Sequence, residues 1–151
     1  MHKIIAQNKK AYHDFHIEEK FEAGIVLTGT EVKSCRTGGI SIKESYGRFI
    51  KGELILVNSH IAPYKQASIF NHTEKRMRKL LLNKNELRKL LGKVTEKGYT
   101  IVPLSVYFNE KNLMKIEIGL ARGKQLYDKR DDLKKRDADR EMQREYKHRY
   151  D

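Results

Sequence analysis

Lys75-Arg-Met-Arg-Lys79 places four cations within five residues. On an extended or loosely turned backbone such a run reaches several adjacent phosphates of one nucleic-acid strand. The alternative is a solvated loop, but Lys9, Lys10, Lys33, Arg36 and Lys43 add positive charge elsewhere and favour a polyanion. His13 and His16 with Glu18 invite a metal or general-base reading. In a strand, however, a His-x-x-His spacing sends the two rings to opposite faces, and no third ligand is near, so no metal site is expected. His60 and His72, near the ends of elements, could stack on bases or be structural. Glu22, Glu31, Glu44 and Glu53 stand singly, without a second carboxylate at a spacing that serves phosphoryl chemistry. There is no Walker-type loop and no Gly-x-Ser-x-Gly, and the glycines at 119 and 123 are wrongly placed for a phosphate cradle. Binding without catalysis or cofactor is therefore expected, ahead of a nuclease or RNA-modifying enzyme built on His13 or His16. A general single-strand binder is the runner-up. It would want a row of exposed aromatics, and Tyr46, Phe49, Tyr64, Tyr99 and Tyr107 make no such track in sequence.

The whole chain agrees with this electrostatic reading. Its 151 residues have a formal net charge of +12 and a pI near 9.7, a surface that attracts polyanions. No window approaches the ~18 consecutive apolar residues of a membrane span, and the N-terminus lacks an uninterrupted apolar segment before a cleavage site. A soluble cytoplasmic protein is expected, with no membrane partner. The single Cys35 allows neither an internal disulfide nor a cysteine-based zinc site; its spacing from Val32 favours packing in the core.

The charge is unevenly placed. Residues 1–123 hold 22 Lys/Arg against 12 Asp/Glu, whereas residues 124–151 hold ten against eight. The sequence thus divides into a basic domain over 1–123 and a charge-saturated arm over 124–151. In the arm, Asp131 with Lys135, Asp132 with Arg136 and Glu145 with Arg149 are i, i+4 pairs, each contributing about 0.2–0.5 kcal/mol to a helix. Ala138, Met142, Tyr146 and Tyr150 form a narrow apolar row. That is too little to offset helix nucleation, so the arm is expected to be disordered alone and helical in a charged groove.

The elements that must position these groups are mostly strands. Residues 1–10 read as an arm leading into a strand over 12–27, where Phe15, Ile17, Phe21, Ile25 and Leu27 recur at even spacing, interrupted near Glu18, Glu19 and Lys20. Thr28 with Glu31 has the form of a capping box ahead of a short helix that Gly38 and Gly39 stop. Residues 40–61 read as a hairpin turning at Lys51-Gly52, with Ile55, Val57, Ser59 and Ile61 on one face. Leu80, Leu81 and Leu82 precede a helix capped by Asn83, in which Leu87, Leu90, Leu91 and Val94 recur until Gly98. Two strands close the domain, with Val102, Leu104, Val106 and Phe108 on one face, and Met114, Ile116, Ile118 and Leu120 on one face of the partner. About six short strands with two or three helices suggest a mainly β fold. The expected architecture is a small closed antiparallel barrel of the oligonucleotide-binding type.

Six stretches, in order along nearly the whole chain, carry a resemblance. They are Asn8-Lys-Lys-Ala-Tyr-His-Asp14, Phe21-Glu-Ala-Gly-Ile-Val-Leu-Thr-Gly-Thr-Glu-Val-Lys-Ser34, Arg78-Lys-Leu-Leu-Leu-Asn83, Gly98-Tyr-Thr100, Gly119-Leu-Ala-Arg-Gly-Lys124 and Tyr127-Asp-Lys-Arg130. Together they resemble the small protein B family, bacterial proteins that bind transfer-messenger RNA (tmRNA). The resemblance implies a non-enzymatic six-stranded barrel that binds the tRNA-like domain of tmRNA and accompanies it to stalled ribosomes for trans-translation. It implies a monomer when bound to RNA, and an arm that enters the empty messenger channel and becomes helical there. It also implies an RNA-binding surface of Glu22, Leu81 and Asn83, with Lys9, Lys10, His13, Arg36, Arg76, Arg78, Lys79 and Lys124 around it. Tyr127, Asp128, Lys129 and Arg130 would meet the ribosomal decoding centre. The family often carries His where Tyr127 stands; both rings can stack on a base. It often carries Pro where Thr73 stands.

Overall fold

Apolar and polar residues alternate through Phe15–Ile25, broken once at Glu18-Glu19, and this pattern builds the longest strand among the described residues. The computed structural model describes residues 3–65 and 71–123. In chain order the elements are β1 (Lys3–Gln7), α1 (Lys9–Asp14), β2 (Phe15–Ile25), α2 (Gly29–Arg36), β3 (Ile40–Ser41), β4 (Tyr46–Ile50), β5 (Glu53–Val57), β6 (His60–Ile61), β7 (Arg78–Leu81), α3 (Lys84–Lys97), β8 (Thr100–Phe108) and β9 (Met114–Gly123). Six strands hydrogen-bond in the order β8-β4-β5-β7-β2-β9, and β9 pairs back to β8, closing a ring. Every pairing is antiparallel, as expected from the sequence. β1 extends the sheet on the remaining length of β8, and β3 pairs with β6 as a separate ribbon.

Leu54, Leu56, Leu80, Ile101, Val106, Ile116 and Ile118 are fully buried and form the main core, which Leu90 of α3 joins. Each such side chain contributes about 1.5–3 kcal/mol relative to an exposed one. Cys35 lies in the same core, and its burial pushes the thiol up to about 12. Local signals set the helices. Thr28 and Glu31 form the reciprocal capping box of α2, Asn83 caps α3 through the Glu86 backbone N–H, and Gly98 ends α3 in the left-handed region that favours glycine.

Three sequence expectations change. The expected arm over residues 1–10 is ordered from residue 3 onward: Lys3 to Gln7 pair with β8, and Asn8 caps α1. The three lysines hid the strand, whose order comes from backbone bonds to β8. Asn8 is itself buried, donating to the Pro103 and Ile42 carbonyls at 3.0 and 3.4 Å. In β5 the buried residues are Leu54 and Leu56 rather than Ile55 and Val57, because Asn58 sits at φ 67° and shifts the alternation before Ser59 and Ile61 turn inward. In β8 a bulge between Pro103 and Ser105 divides the expected single face. Val102 and Leu104 join Ala11 and Ala121 in a second cluster beneath α1, while Val106 enters the main core. The break near Glu18 is also a bulge, between Ile17 and Glu19.

Gly119 faces the second cluster, where an added Cβ would lie 2.9 Å from Ile17 Cγ2 and 3.1 Å from Leu104 Cδ1. Overpacking of this kind costs about 1–3 kcal/mol. Gly119→Val should therefore lower the unfolding free energy by that amount, read as a lower urea midpoint at an unchanged slope; an unchanged midpoint would show that the cluster yields freely.

Among the described residues no helix is long and apolar enough to cross a membrane.

Candidate nucleic-acid interface

The basic run is split by the strand it enters. In β7, Arg78 and Leu80 turn inward while Lys79 and Leu81 turn outward. Arg78 is fully buried, and its guanidinium reaches Glu31 Oε2 from Nε at 3.0 Å and from Nη2 at 2.7 Å. Nη1 donates to the Ser59 carbonyl and hydroxyl and to the Arg76 carbonyl, at 3.1, 3.0 and 2.8 Å. Arg76 grips the other side of the same carboxylate, with Nη2 2.6 Å from Oε1 and Nε 3.0 Å from Oε2. The Thr28 backbone N–H adds a bond to Oε1 at 2.9 Å. Burial alone would raise the pKa of Glu31, but these donors outweigh it and hold the carboxyl at about 2. Arg78 is thus a structural cation, a correction to its reading as an RNA contact: its donors point into the fold. Arg76 keeps about a third of its side chain exposed while tied to Glu31.

The outward residues make a different surface. Along β5–β7–β2–β9 the registers set Ile55 beside Lys79, Leu81 beside Gly24, and Gly24 beside Lys115. Gly24 carries no side chain, and the space left at its Cα is flanked by Leu81 Cδ1 and Lys115 Nζ, 3.7 and 3.8 Å from where a Cβ would stand. Leu81 is half exposed, and Val26 and Met77 add exposed apolar area near it. Lys79 pairs with Glu53 at 2.9 Å on this face. Two residues before Gly24, Glu22 stands exposed and accepts a hydrogen bond from the Tyr107 hydroxyl. Asn83 follows directly after Leu81 and Leu82. Glu22, Lys79 and Leu81 are therefore brought to one side of the ring, with Asn83 capping α3 just beyond β7 and Arg76 at the end nearest Val26, whose carbonyl it reaches at 3.3 Å.

The other sequence candidates lie elsewhere. Lys9, Lys10 and His13 are exposed on α1, which packs on β2 and β8. Arg36 ends α2 with its guanidinium 5.7 Å from the Phe108 ring centre. Lys124, Tyr127, Asp128, Lys129 and Arg130 fall outside the described residues. His13 belongs to a helix and bonds Asp14 at 3.0 Å, whereas His16 belongs to β2, so the two are not on one strand as the sequence suggested. Among the described residues no group of three or more His, Cys, Asp or Glu could hold a metal ion. His72 is held by Thr30 Oγ1 at 2.8 Å and by the Ile61 and Ala62 carbonyls at 2.9 and 3.0 Å, a structural role.

Against this geometry, the model of the family described as SmpB protein matches residues 5–148. The chain belongs to the SmpB family. A relative from Carboxydothermus hydrogenoformans, named SsrA-binding protein, is 56% identical over 150 residues, covering 99% of this chain and 100% of its own. A second SsrA-binding protein, from Symbiobacterium thermophilum, is 53% identical and covers 97% of this chain and 93% of its own. A solved SmpB-family chain, from a structure described as "tmRNA-SmpB: a journey to the center of the bacterial ribosome", is 55% identical with a TM-score of 0.65, covering 78% of this chain and 82% of that one.

Three residues of this arrangement escaped the sequence reading. Glu31 was seen as a helix cap, and its second task depends on arginines 45 and 47 residues away. Tyr107 looked like one of several unconnected aromatics, and its partner Glu22 is 85 residues distant. Lys115 lies in a strand read for its apolar alternation. A capping glutamate feeding a basic run of alternating arginines was the one available signal.

Proposed function

We propose that this protein binds the tRNA-like domain of tmRNA and delivers it to stalled ribosomes, where truncated proteins are tagged and released. The reading is supported by near full-length similarity to proteins named SsrA-binding and by similarity over 78% of this chain to a solved chain whose structure is described by the words tmRNA-SmpB and bacterial ribosome. The observation that carries it physically is the face holding Leu81, the open step at Gly24, Lys115 and Lys79. It offers a flat apolar surface for an unstacked base, with cations at its border for phosphates. Arg76 borders this surface, and Lys9, Lys10, His13 and Arg36 contact the RNA from α1 and α2, away from it. Residues 1–123 form the RNA-binding domain, and residues 124–151 act on the ribosome. Tyr127 and its neighbours Asp128, Lys129 and Arg130 meet the decoding centre, and the arm becomes helical in the messenger channel. The protein works in the cytoplasm as a binder rather than an enzyme, one copy per RNA.

A gel shift decides the central point: tmRNA should be preferred over bulk tRNA, with affinity falling steeply as salt rises. Equal binding of both RNAs at moderate salt would leave only a general single-strand binder. Asn83 provides a finer test because it also caps α3. Asn83→Ala removes a cap at a cost of about 1 kcal/mol, whereas Ser restores it. If Asn83 contacts RNA, Asn83→Ser will keep the wild-type melting temperature yet bind several-fold more weakly; full affinity would assign Asn83 to capping alone.

A further inference from the structure

Glu22 stands at the edge of a second, mixed-charge recess. With it, Asn109, Glu110, Lys111, Leu113 and Lys115 line an open pocket between β2 and the β8–β9 turn. The turn is built in advance. Asn109 Oδ1 accepts from the Lys111 and Leu113 backbone N–H groups, both at 2.9 Å, and the Asn109 N–H donates to the Leu113 carbonyl at 2.9 Å. Leu113 is thereby held with about half its surface in solvent. With two carboxylates and two ammonium groups the pocket is not a simple phosphate cradle. A phosphate would be repelled by the acids, whereas a base edge bearing N–H donors would be accepted by them while the lysines take its flanking phosphates.

The Tyr107 hydroxyl donates to Glu22 Oε2, and Tyr107 is itself buried, so its ring is fixed by packing. Burial pushes the Tyr107 phenol up, and the Glu22 and Glu117 carboxylates push it further, so this hydroxyl stays a donor at neutral pH. The bond leaves Glu22 Oε1, with a lone pair of Oε2, to face the recess. A fixed carboxylate matches two adjacent N–H donors. Of the four bases, guanine presents such a pair, N1–H and the N2 amino group, on its Watson–Crick edge. Adenine and uracil offer a donor beside an acceptor, and cytosine a single donor group.

We propose that this recess reads one unstacked guanine of the bound RNA through the Glu22 carboxylate, and that Tyr107 is the positioning residue that aims it. This rests on the RNA-binding reading above and names the chemistry of its recognition. The test uses the full chain with tmRNA and kethoxal, which attacks guanine at N1 and N2. At saturating protein, the wild type should protect one or more unpaired guanines. Tyr107→Phe, which keeps the ring and removes only the hydroxyl, should bind roughly 5- to 10-fold more weakly and lose that protection. Glu22→Gln, which puts an amide donor against the guanine donors, should do the same with an unaltered melting temperature. The double variant should be no weaker than Glu22→Gln, since both act through one carboxylate. Wild-type guanine protection in both single variants overturns the proposal, as does multiplication of their effects or the absence of any protected guanine with the wild type. In those cases tmRNA preference survives. A wild-type chain that does not prefer tmRNA sinks the RNA reading and the proposal together.

Discussion

Glu31→Gln is expected to destabilise the fold by about 3–5 kcal/mol, the range for breaking a buried ion pair by removal of one partner. The carboxylate neutralises one fully buried guanidinium and one that is mostly covered, and it closes the capping box of α2. Glutamine keeps its shape and leaves Arg78 as an uncompensated buried charge. A small domain holds about 5–15 kcal/mol in total, so such a variant would be near unfolding. The same geometry fixes a pH dependence. The folded carboxyl lies at about 2 against an ordinary 4.5, a depressed value. Its contribution is therefore complete above about 4.5 and is lost as pH falls toward 2, amounting to about 3 kcal/mol over that window. Urea unfolding at neutral pH and near pH 3 checks both points. The wild type should lose stability on acidification, and Glu31→Gln should lack the part of that loss that Glu31 contributes. A variant as stable as wild type at neutral pH would mean that Arg76 and Arg78 find other compensation.

Ending the chain after Lys124 should abolish tagging of truncated proteins while changing tmRNA affinity by less than about twofold. On this reading, the face formed by β7, β2 and β9 carries the RNA contacts, and the removed residues are nearly charge-balanced, with nine Lys/Arg against eight Asp/Glu. Their loss alters the long-range attraction to phosphate little. Parallel gel shifts and a tagging assay separate the two effects. A tenfold or greater fall in affinity would make the arm part of the primary RNA site.

Legibility in the sequence followed the range of the interaction. The caps at Thr28 and Asn83 were plain because donor and acceptor are three residues apart. The turn at Lys51-Gly52 was plain too, joining β4 to β5 with both residues at positive φ. What was misread depended on distant partners or on one backbone angle. Asn58 reversed the buried face of β5, and the bulge at Pro103 divided β8 between two clusters. The basic run 75–79 was recognised as a cationic site, but nothing local distinguishes Arg78, which turns inward to Glu31, from Lys79, which turns out. Of the candidate surface, strand register sets Lys79 and Leu81 on the side of the ring where Glu22 stands, while Asn83 caps α3 just beyond β7. Tyr107 and Lys115 join them through strand register, which composition does not reveal.

The ring also dictates a timetable. β1 and β2, the first strands to be synthesised, find their partners in β8 and β9, with Lys3 opposite Phe108 and Phe15 opposite Gly123. A nascent chain therefore carries β1 and most of β2 unpaired until nearly the whole domain has left the ribosome. Contacts so far apart in sequence put folding toward the millisecond-to-second regime of high contact order. Assembly is thus a late, concerted event, and a message cut short before codon 100 yields a product unable to shelter its own N-terminal strands.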